Sequence, residues 1–303
     1  QMVIPACCGI VTAGPFPYSA YGAPVVASTF AAAAAVATGM ARVAHSNNED
    51  MRVLCFAGDG GTYDIGLATV SAAALATGLA HVARLNGDGT RIVCWAGDGG
   101  TYDIGMATLS AAAERDEDIL YICYDNEIYG NTGGQRSSAT PFGAATTTTP
   151  AGKHVEKKDI LAIMAAHRVP YAASVSMAHS EDMMRKLTRG LDTRGFRFLH
   201  LLAPCPTGWK SEPSEGIELV RWAVQSGLYP VLEIVDGTDW RVSIEPTFSK
   251  EALEGFISRQ GRFAKSGVSV DEVRKAVLRN WDSLRARVGH PVAPPAPHVV
   301  AGE

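Results

Sequence analysis

RIVCWAGDGGTYDIGMATLSAAAERDEDILYICYDNEIYGNTGGQ, residues 91–135, decides how this chain is read. It predicts an apolar strand from Arg91 to Ala96, then a glycine turn with one carboxylate (Gly97, Asp98, Gly99, Gly100) and an alanine-rich helix. A second apolar strand, Ile119 to Tyr124, runs into Asp125, Asn126 and a loop ending in Asn131, Thr132, Gly133 and Gly134. This is one βαβ unit with polar groups at the carboxyl ends of both strands. In a parallel sheet those ends lie side by side, on the edge where open α/β sheets bind ligands, so Asp98 and Asn126 are expected to meet. The glycines allow backbone to approach a phosphate. A helix N-terminus at Asp103 would offer N–H groups to an anion, and Asp98 with Asn126 would supply hard oxygen ligands. Together these are the parts of a magnesium-diphosphate cradle.

GDGG alone is also an ordinary turn. The spacing adds to it, because Asn126 follows Gly97 by 29 residues with a helix and a strand between. That spacing resembles the thiamine diphosphate motif. The longer string DNEIYGNTGGQRSSATPFGAATTTTPAGK, residues 125–153, resembles the thiamine-binding subunit of the 2-oxoacid:ferredoxin oxidoreductases, most like its pyruvate branch. The resemblance runs from about Val3 to Val288. It implies that Asp98, Asn126 and the backbone carbonyl of Ile128 bind magnesium, and that Gly97, Gly99, Gly100 and Thr132 lie near the diphosphate. By the same resemblance Asn131 lies near the thiazolium ring and the reacting substrate; read from its own residues, it is a loop asparagine able to satisfy its own turn.

The six cysteines do not form the dense pattern of a secreted disulfide scaffold. Cys55, Cys94 and Cys123 sit in apolar strand-like runs and read as small buried thiols. Cys8 and Cys205 differ, lying in ACCGIVTAGPFPYSAY and LLAPCPTGW. Both segments resemble family segments that each donate one thiolate to a 4Fe-4S cluster. Such a cluster needs four, and the family's Cys-x-x-Cys pair, normally upstream of the segment matching Val3, is not in this sequence. The chain opens QMVIPACC without a recognisable leader. It reads as a fragment of a cytoplasmic protein.

An internal repeat precedes the decisive stretch. The segment from Ala35, AVATGMARVAHSNNEDMRVLCFAGDGGTYDIGLATVSAAA, aligns without a gap on the one from Ala74, at an offset of 39 residues. The units are residues 35–73 and 74–112. Only the second leads into an asparagine strand end and the NTGGQ loop. Asp59 has Asn86 at a comparable distance, but Asn86 enters the turn signal NGDGT, so Asp98 is the expected ligand and Asp59 the decoy. Either the sheet accommodates an extra strand and helix, or the sequence is a chimera or an artefact of sequence assembly.

Elsewhere the apolar run Val25 to Gly39 is mostly alanine, too weakly hydrophobic for a membrane span, and reads as a buried helix. Residues 137–152 form a Ser/Thr/Pro/Gly loop with four consecutive threonines, Thr146 to Thr149, which reads as a flexible loop, a lid or a subunit contact. Asp159 to His167 has helical spacing, Val169 to Val175 reads as a strand, Glu181 to Arg194 as an amphipathic helix, and Phe196 to Leu202 as a buried strand. His200 reads as a satisfied core histidine, and ERDED, Glu114 to Asp118, as a solvated turn on the edge away from the cofactor. The fold class is therefore α/β: a doubly wound, mostly parallel sheet of the thiamine diphosphate-binding type with a C-terminal helical arm. Residues 1–239 would form the binding domain. Residues 240–288 would form an arm that, by resemblance, contacts a partner subunit: an edge strand Trp240 to Pro246, a helix Lys250 to Phe263, and a helix Ser269 to Val288 with Trp281 on its apolar face. Residues 289–303, rich in proline and alanine, would form a disordered tail.

At 303 residues, 47% hydrophobic, with net charge -4 and pI near 6.1, the chain has the core of a globular protein and no general attraction for nucleic acid or anionic membranes. The resemblance implies oxidative decarboxylation of a 2-oxoacid, pyruvate first among candidates, to acyl-CoA and CO2, with electrons passing through 4Fe-4S clusters to ferredoxin. It also implies other subunits, which supply the glutamate that activates thiamine and the substrate-binding arginine. The alternatives are a non-oxidative thiamine diphosphate decarboxylase or synthase subunit, which would leave Cys8 and Cys205 unexplained, and a non-catalytic interaction subunit.

Overall fold

Parallel strands that are apolar on both faces need a layer of helices on each side, and that is the arrangement found. The computed structural model describes residues 72–87, 89–264 and 266–288, together with the strands β1 (Met2–Pro5), β2 (Val25–Ser28) and β3 (Leu54–Ala57). These join β4 (Ile92–Gly97), β5 (Ile119–Asp125), β6 (Tyr171–Ser176), β7 (Phe196–Leu202), β8 (Val231–Val235) and β9 (Asp239–Ile244). Among the described residues they make one sheet in the order β2-β1-β3-β4-β5-β7-β6-β8-β9. All neighbours run parallel until β8 and β9, which are antiparallel.

Alternate residues of the central strands feed opposite faces. Ile119, Tyr121 and Cys123 of β5, with Phe196 and Phe198 of β7, join one core. Against it pack α1 (Ala72–Asn86), α2 (Met106–Glu114), α3 (Ile160–Ala166) and α7 (Val270–Val288). On α1 the buried positions are Ala73, Ala76 and Ala80, small side chains at helical spacing that let the helix lie close to the sheet. Leu120, Ile122, Leu199 and Leu201 face the other way, towards Met183 and Leu187 of α4 (Ser180–Asp192). A satellite core joins Trp209 to α5 (Gly216–Gln225) and α6 (Lys250–Ser258).

Several expectations are met: the βαβ unit, the buried Phe196–Leu202 strand, and the helix that Asp159 caps; the helix expected from Lys250 to Phe263 begins there but ends at Ser258. Others need correction. Val25–Ser28 is a strand paired with β1, so the expected helix cannot begin at Val25; the rest of that run lies outside the described residues. Of the first repeat unit, β3 pairs in parallel with β4, and equivalent residues of the two copies are in register, Phe56 with Trp95 and Ala57 with Ala96; residues 35–53 and 58–71 lie outside the described residues. Asn86 is exposed at the last turn of α1, not at a strand end. The apolar face of α7, with Val273, Val277, Trp281 and Leu284, is covered by this chain's own core, and the Trp281 indole donates to the Gly227 carbonyl at 2.8 Å. Any partner must therefore meet another face of the arm. Cys8, Asp59 and residues 289–303 lie outside the described residues.

Candidate cofactor site

β4 and β5 are in register from Ile92 with Ile119 to Gly97 with Tyr124, so Asp98 and Asp125 leave the same edge on adjacent strands and Asn126 follows at once. Asp98 is buried, 1% exposed, and Asn126 is 6% exposed. The chain does not run from the GDGG turn to a helix start at Asp103, as expected. It coils at once, with Gly99–Asp103 forming a wide π-type turn before α2. The Thr101 hydroxyl closes that turn on the Gly97 carbonyl at 2.7 Å.

A relay joins Asp98 to the residue after Asn126. The Ser137 hydroxyl donates to Asp98 Oδ2, the Ser137 N–H donates to Thr140 Oγ1 at 3.0 Å, and the Thr140 hydroxyl donates to the Glu127 carbonyl at 2.7 Å. Asn126 Oδ1 accepts from the Ile128 N–H at 3.2 Å, an Asx-type turn. Residues 129–135 form a hairpin closed by Tyr129 N–H to the Gln135 carbonyl at 3.0 Å and Gly134 N–H to the Tyr129 carbonyl at 2.9 Å. Gly133 (φ +117°) and Gly134 (φ +81°) give it backbone angles that other residues rarely adopt. Asn131 is exposed at its tip, and Thr132 Oγ1 donates to Gln135 Oε1 at 2.5 Å. The Tyr129 hydroxyl reaches back to the Gly99 carbonyl at 3.3 Å and to Asp103 Oδ2 at 3.1 Å.

The loop 137–152 is not loose. Ser137 and Thr140 are buried, the Thr147 N–H donates to the Gly134 carbonyl at 2.9 Å, and the Ala145 N–H donates to the Arg262 carbonyl at 2.7 Å. Buried Lys153 donates to the carbonyls of Ser138 and Thr140 at 3.0 and 2.6 Å. Burial, with the charges of Arg136 and Lys157 nearby, pushes Lys153 down to about 8.

Behind the turn lies a charged network. Asp125 Oδ2 accepts from Lys157 Nζ at 2.6 Å and from His200 Nε2 at 2.7 Å. Burial alone would raise the Asp125 carboxyl, but the Lys157 charge and the His200 hydrogen bond outweigh it and hold it well below the usual range. Burial pushes His200 down despite Asp125, so the imidazole is neutral at pH 7, as expected of a core histidine. The Tyr102 hydroxyl lies 3.0 Å from His200 Nε2. Glu127 pairs with Lys157 at 3.2 Å and with Arg262 at 2.7 Å. Lys157 and Arg262 carry no sequence signal for this role, since they reach the turn from 30 and 135 residues away. ERDED is a turn, as expected, but Asp116 and Asp118 are fastened to β7 and do not simply face solvent.

The donor set fits magnesium: a buried carboxylate, an amide oxygen and a backbone carbonyl are all hard oxygen ligands. Gly99 lets the turn pack directly on the hairpin, since a Cβ there would strike the Tyr129 ring. A four-thiolate cluster is not assembled by the described residues. Cys94 and Cys123 are buried in strands, Cys205 is half-buried and accepts from the Gly208 N–H at 3.3 Å, and no three His, Cys, Asp or Glu converge on one point among the described residues.

Residues 68–201 match the family described as "Thiamine pyrophosphate enzyme, C-terminal TPP binding domain". The chain is 39% identical over 297 residues to ketoisovalerate oxidoreductase subunit VorB of Pyrococcus horikoshii, covering 94% of this chain and 83% of that one. It is 46% identical over 281 residues to pyruvate synthase subunit PorB of Methanothermobacter marburgensis, covering 91% and 82%. It is 37% identical over 301 residues to PorB of Pyrococcus furiosus, covering 91% and 79%. The chain belongs to the thiamine diphosphate-binding subunits of the 2-oxoacid:ferredoxin oxidoreductases.

Proposed function

We propose that this subunit supplies the cofactor half of an enzyme that oxidatively decarboxylates a 2-oxoacid to acyl-CoA and CO2 and delivers the electrons to ferredoxin. The observation that carries the site assignment is buried Asp98 at the end of β4, linked through Ser137 and Thr140 to the Asn126–Ile128 turn at the end of β5. We assign Asp98, the Asn126 side chain and the Ile128 carbonyl to Mg2+; Gly97, Gly99, Gly100 and Thr132 to the diphosphate; and Asn131, exposed at the hairpin tip, to the reacting carbon. When bound, thiamine diphosphate supplies the electron sink that loss of the carboxylate requires.

The chain's own residues do the holding. Asp98 contributes the negative charge that attracts the metal, and Ser137 fixes its Oδ2. The Asx turn keeps Asn126 beside Ile128, and the burial of both keeps water from competing for them. Glu127, the carboxylate nearest the turn, has both oxygens held by Lys157 and Arg262. It is not available to activate thiamine, and we assign that glutamate to a partner subunit. The partner would also bring the substrate-binding arginine and would meet the exposed face of the arm. Cys205 and Cys8 would be two of the four thiolates of a 4Fe-4S cluster. Cys94, Cys123 and Cys205 are free thiols, which suits the reducing cytoplasm, and no helix among the described residues is long and apolar enough to cross a membrane.

Pyruvate is the first substrate to test and ketoisovalerate the second, since similar relatives carry each name. The natural assembly, purified without oxygen, should contain thiamine diphosphate, magnesium and iron and should reduce ferredoxin when given coenzyme A and one of these acids. Cys205→Ala should lower the iron content and leave the thiamine in place. An assembly that holds no thiamine diphosphate, or that decarboxylates without reducing ferredoxin, would refute the reading.

A further inference from the structure

Glu127 stands between two residues assigned to the metal, Asn126 and Ile128, and its φ of +65° puts it in the left-handed region. For a residue with a Cβ this costs about 1 kcal/mol or more and persists only where the surroundings impose it. Here they do so at every polar group. The Glu127 N–H donates to Asp125 Oδ1 at 2.8 Å, its carbonyl accepts from Thr140, and its carboxylate is gripped by Lys157 and by Arg262.

Arg262 acts on the turn twice. Its Nη2 binds Glu127 Oε2 at 2.7 Å, and its guanidinium lies 4.5 Å from the centre of the Trp209 ring. The Trp209 indole N–H in turn donates to the Asn126 carbonyl at 2.8 Å. Arg262 is 1% exposed, while its Nη1 has no hydrogen-bond partner among the described residues. Burying a half-satisfied guanidinium is a poor route to stability, and a buried ion pair is often no better than an apolar substitute of similar volume. What the pair does accomplish is local: it fixes the one backbone conformation that keeps Asn126 Oδ1 within 3.2 Å of the Ile128 nitrogen.

We propose that Arg262 is a positioning residue for the metal, acting through Glu127 and Trp209 to hold the 126–128 turn in its left-handed form and so to set the affinity for Mg2+. The proposal rests on the assignment of Asn126 and Ile128 to that metal.

The test compares two double variants of the full chain in its assembly, Glu127→Gly/Arg262→Met and Glu127→Ala/Arg262→Met. Both remove the charged pair together, so neither leaves Glu127 or Arg262 buried alone. They differ at residue 127 in whether the left-handed form is freely available. The readout is the Mg2+ concentration at which thiamine diphosphate half-maximally quenches tryptophan fluorescence, with folding checked by circular dichroism. The glycine variant should stay within about threefold of the wild type, and the alanine variant should need at least about tenfold more Mg2+, the size of effect typical of groups that orient a metal's ligands. Equal Mg2+ requirements in the two variants would overturn the proposal. Asp98→Asn, measured alongside, separates the two levels. If it leaves the Mg2+ requirement unchanged, the metal assignment itself fails; if it raises the requirement while the two double variants agree, only the role of Arg262 fails.

Discussion

At the amino-terminal edge of the sheet, Asp116 Oδ1 accepts from the Phe196 N–H at 2.7 Å, and Asp118 pairs with buried Arg197 and, at 2.8 Å, with Arg194. At the carboxyl-terminal edge, Asp125 and Glu127 pair with Lys157 and Arg262 in the same way. The chemistry is similar and the consequence is not. On the first edge the carboxylates themselves fasten one strand to the next, and the arrangement ends there. On the second the ion pairs stand one residue to either side of Asn126, so they stiffen a turn whose own oxygens we assign to a metal. A charged cluster in an α/β sheet is thus informative by what it flanks more than by its charge.

The comparison can be broken by substitution at either edge. The largest expected effect on folding is at the amino-terminal edge. Asp118→Ala leaves Arg197 buried without its carboxylate and should cost about 2 kcal/mol in urea unfolding, less than a fully buried pair would because Asp118 is partly exposed. Cofactor affinity should be unchanged. A loss of affinity there would mean that the two edges are not separate. Next, Gly99→Ala drives a methyl group into the Tyr129 ring. It should weaken thiamine diphosphate binding by about tenfold or more with a smaller effect on unfolding; titration of the cofactor checks it, and unaltered binding would show that the Gly99–Tyr129 contact does not shape the cofactor turn.

Ser137→Ala removes one hydrogen bond to Asp98 and should raise the cofactor dissociation constant about fivefold, in line with about 1 kcal/mol for one such bond. The smallest effect concerns pH. Lys153 is held down to about 8 in the fold, by burial first, against about 10.4 in an unfolded chain. Between those values the unfolded state binds the extra proton, so this lysine makes stability rise with pH across that window. Lys153→Met should flatten that part of the stability profile, and an unchanged slope would show that Lys153 does not titrate there.

Much of this was legible in the sequence, and for a physical reason. Strands buried on both faces are continuous apolar runs, so Phe196–Leu202 and the βαβ unit announce themselves, as does the polar pair at the strand ends. The helix expected from Val25 failed at its start because an alanine- and valine-rich run lacks the periodicity that would separate a strand from a helix. The π-type turn at Gly99–Asp103 was hidden because glycines fit several backbone paths. The network behind the site was hidden more deeply. Glu127 lies in the quoted motif, but nothing local says that its partner is Arg262, 135 residues on, or that Ser137 reaches Asp98 across 39. Such contacts are created by packing and leave no spacing to read.

The central claim is that the second of the two GDGG strings holds the metal. Thiamine diphosphate binding in the presence of Mg2+ should therefore be measured by titration for Asp98→Asn and Asp59→Asn side by side. The account predicts that Asp98→Asn loses binding by about 100-fold or more while Asp59→Asn binds as the wild type does. Loss of binding in Asp59→Asn with Asp98→Asn unaffected would contradict it.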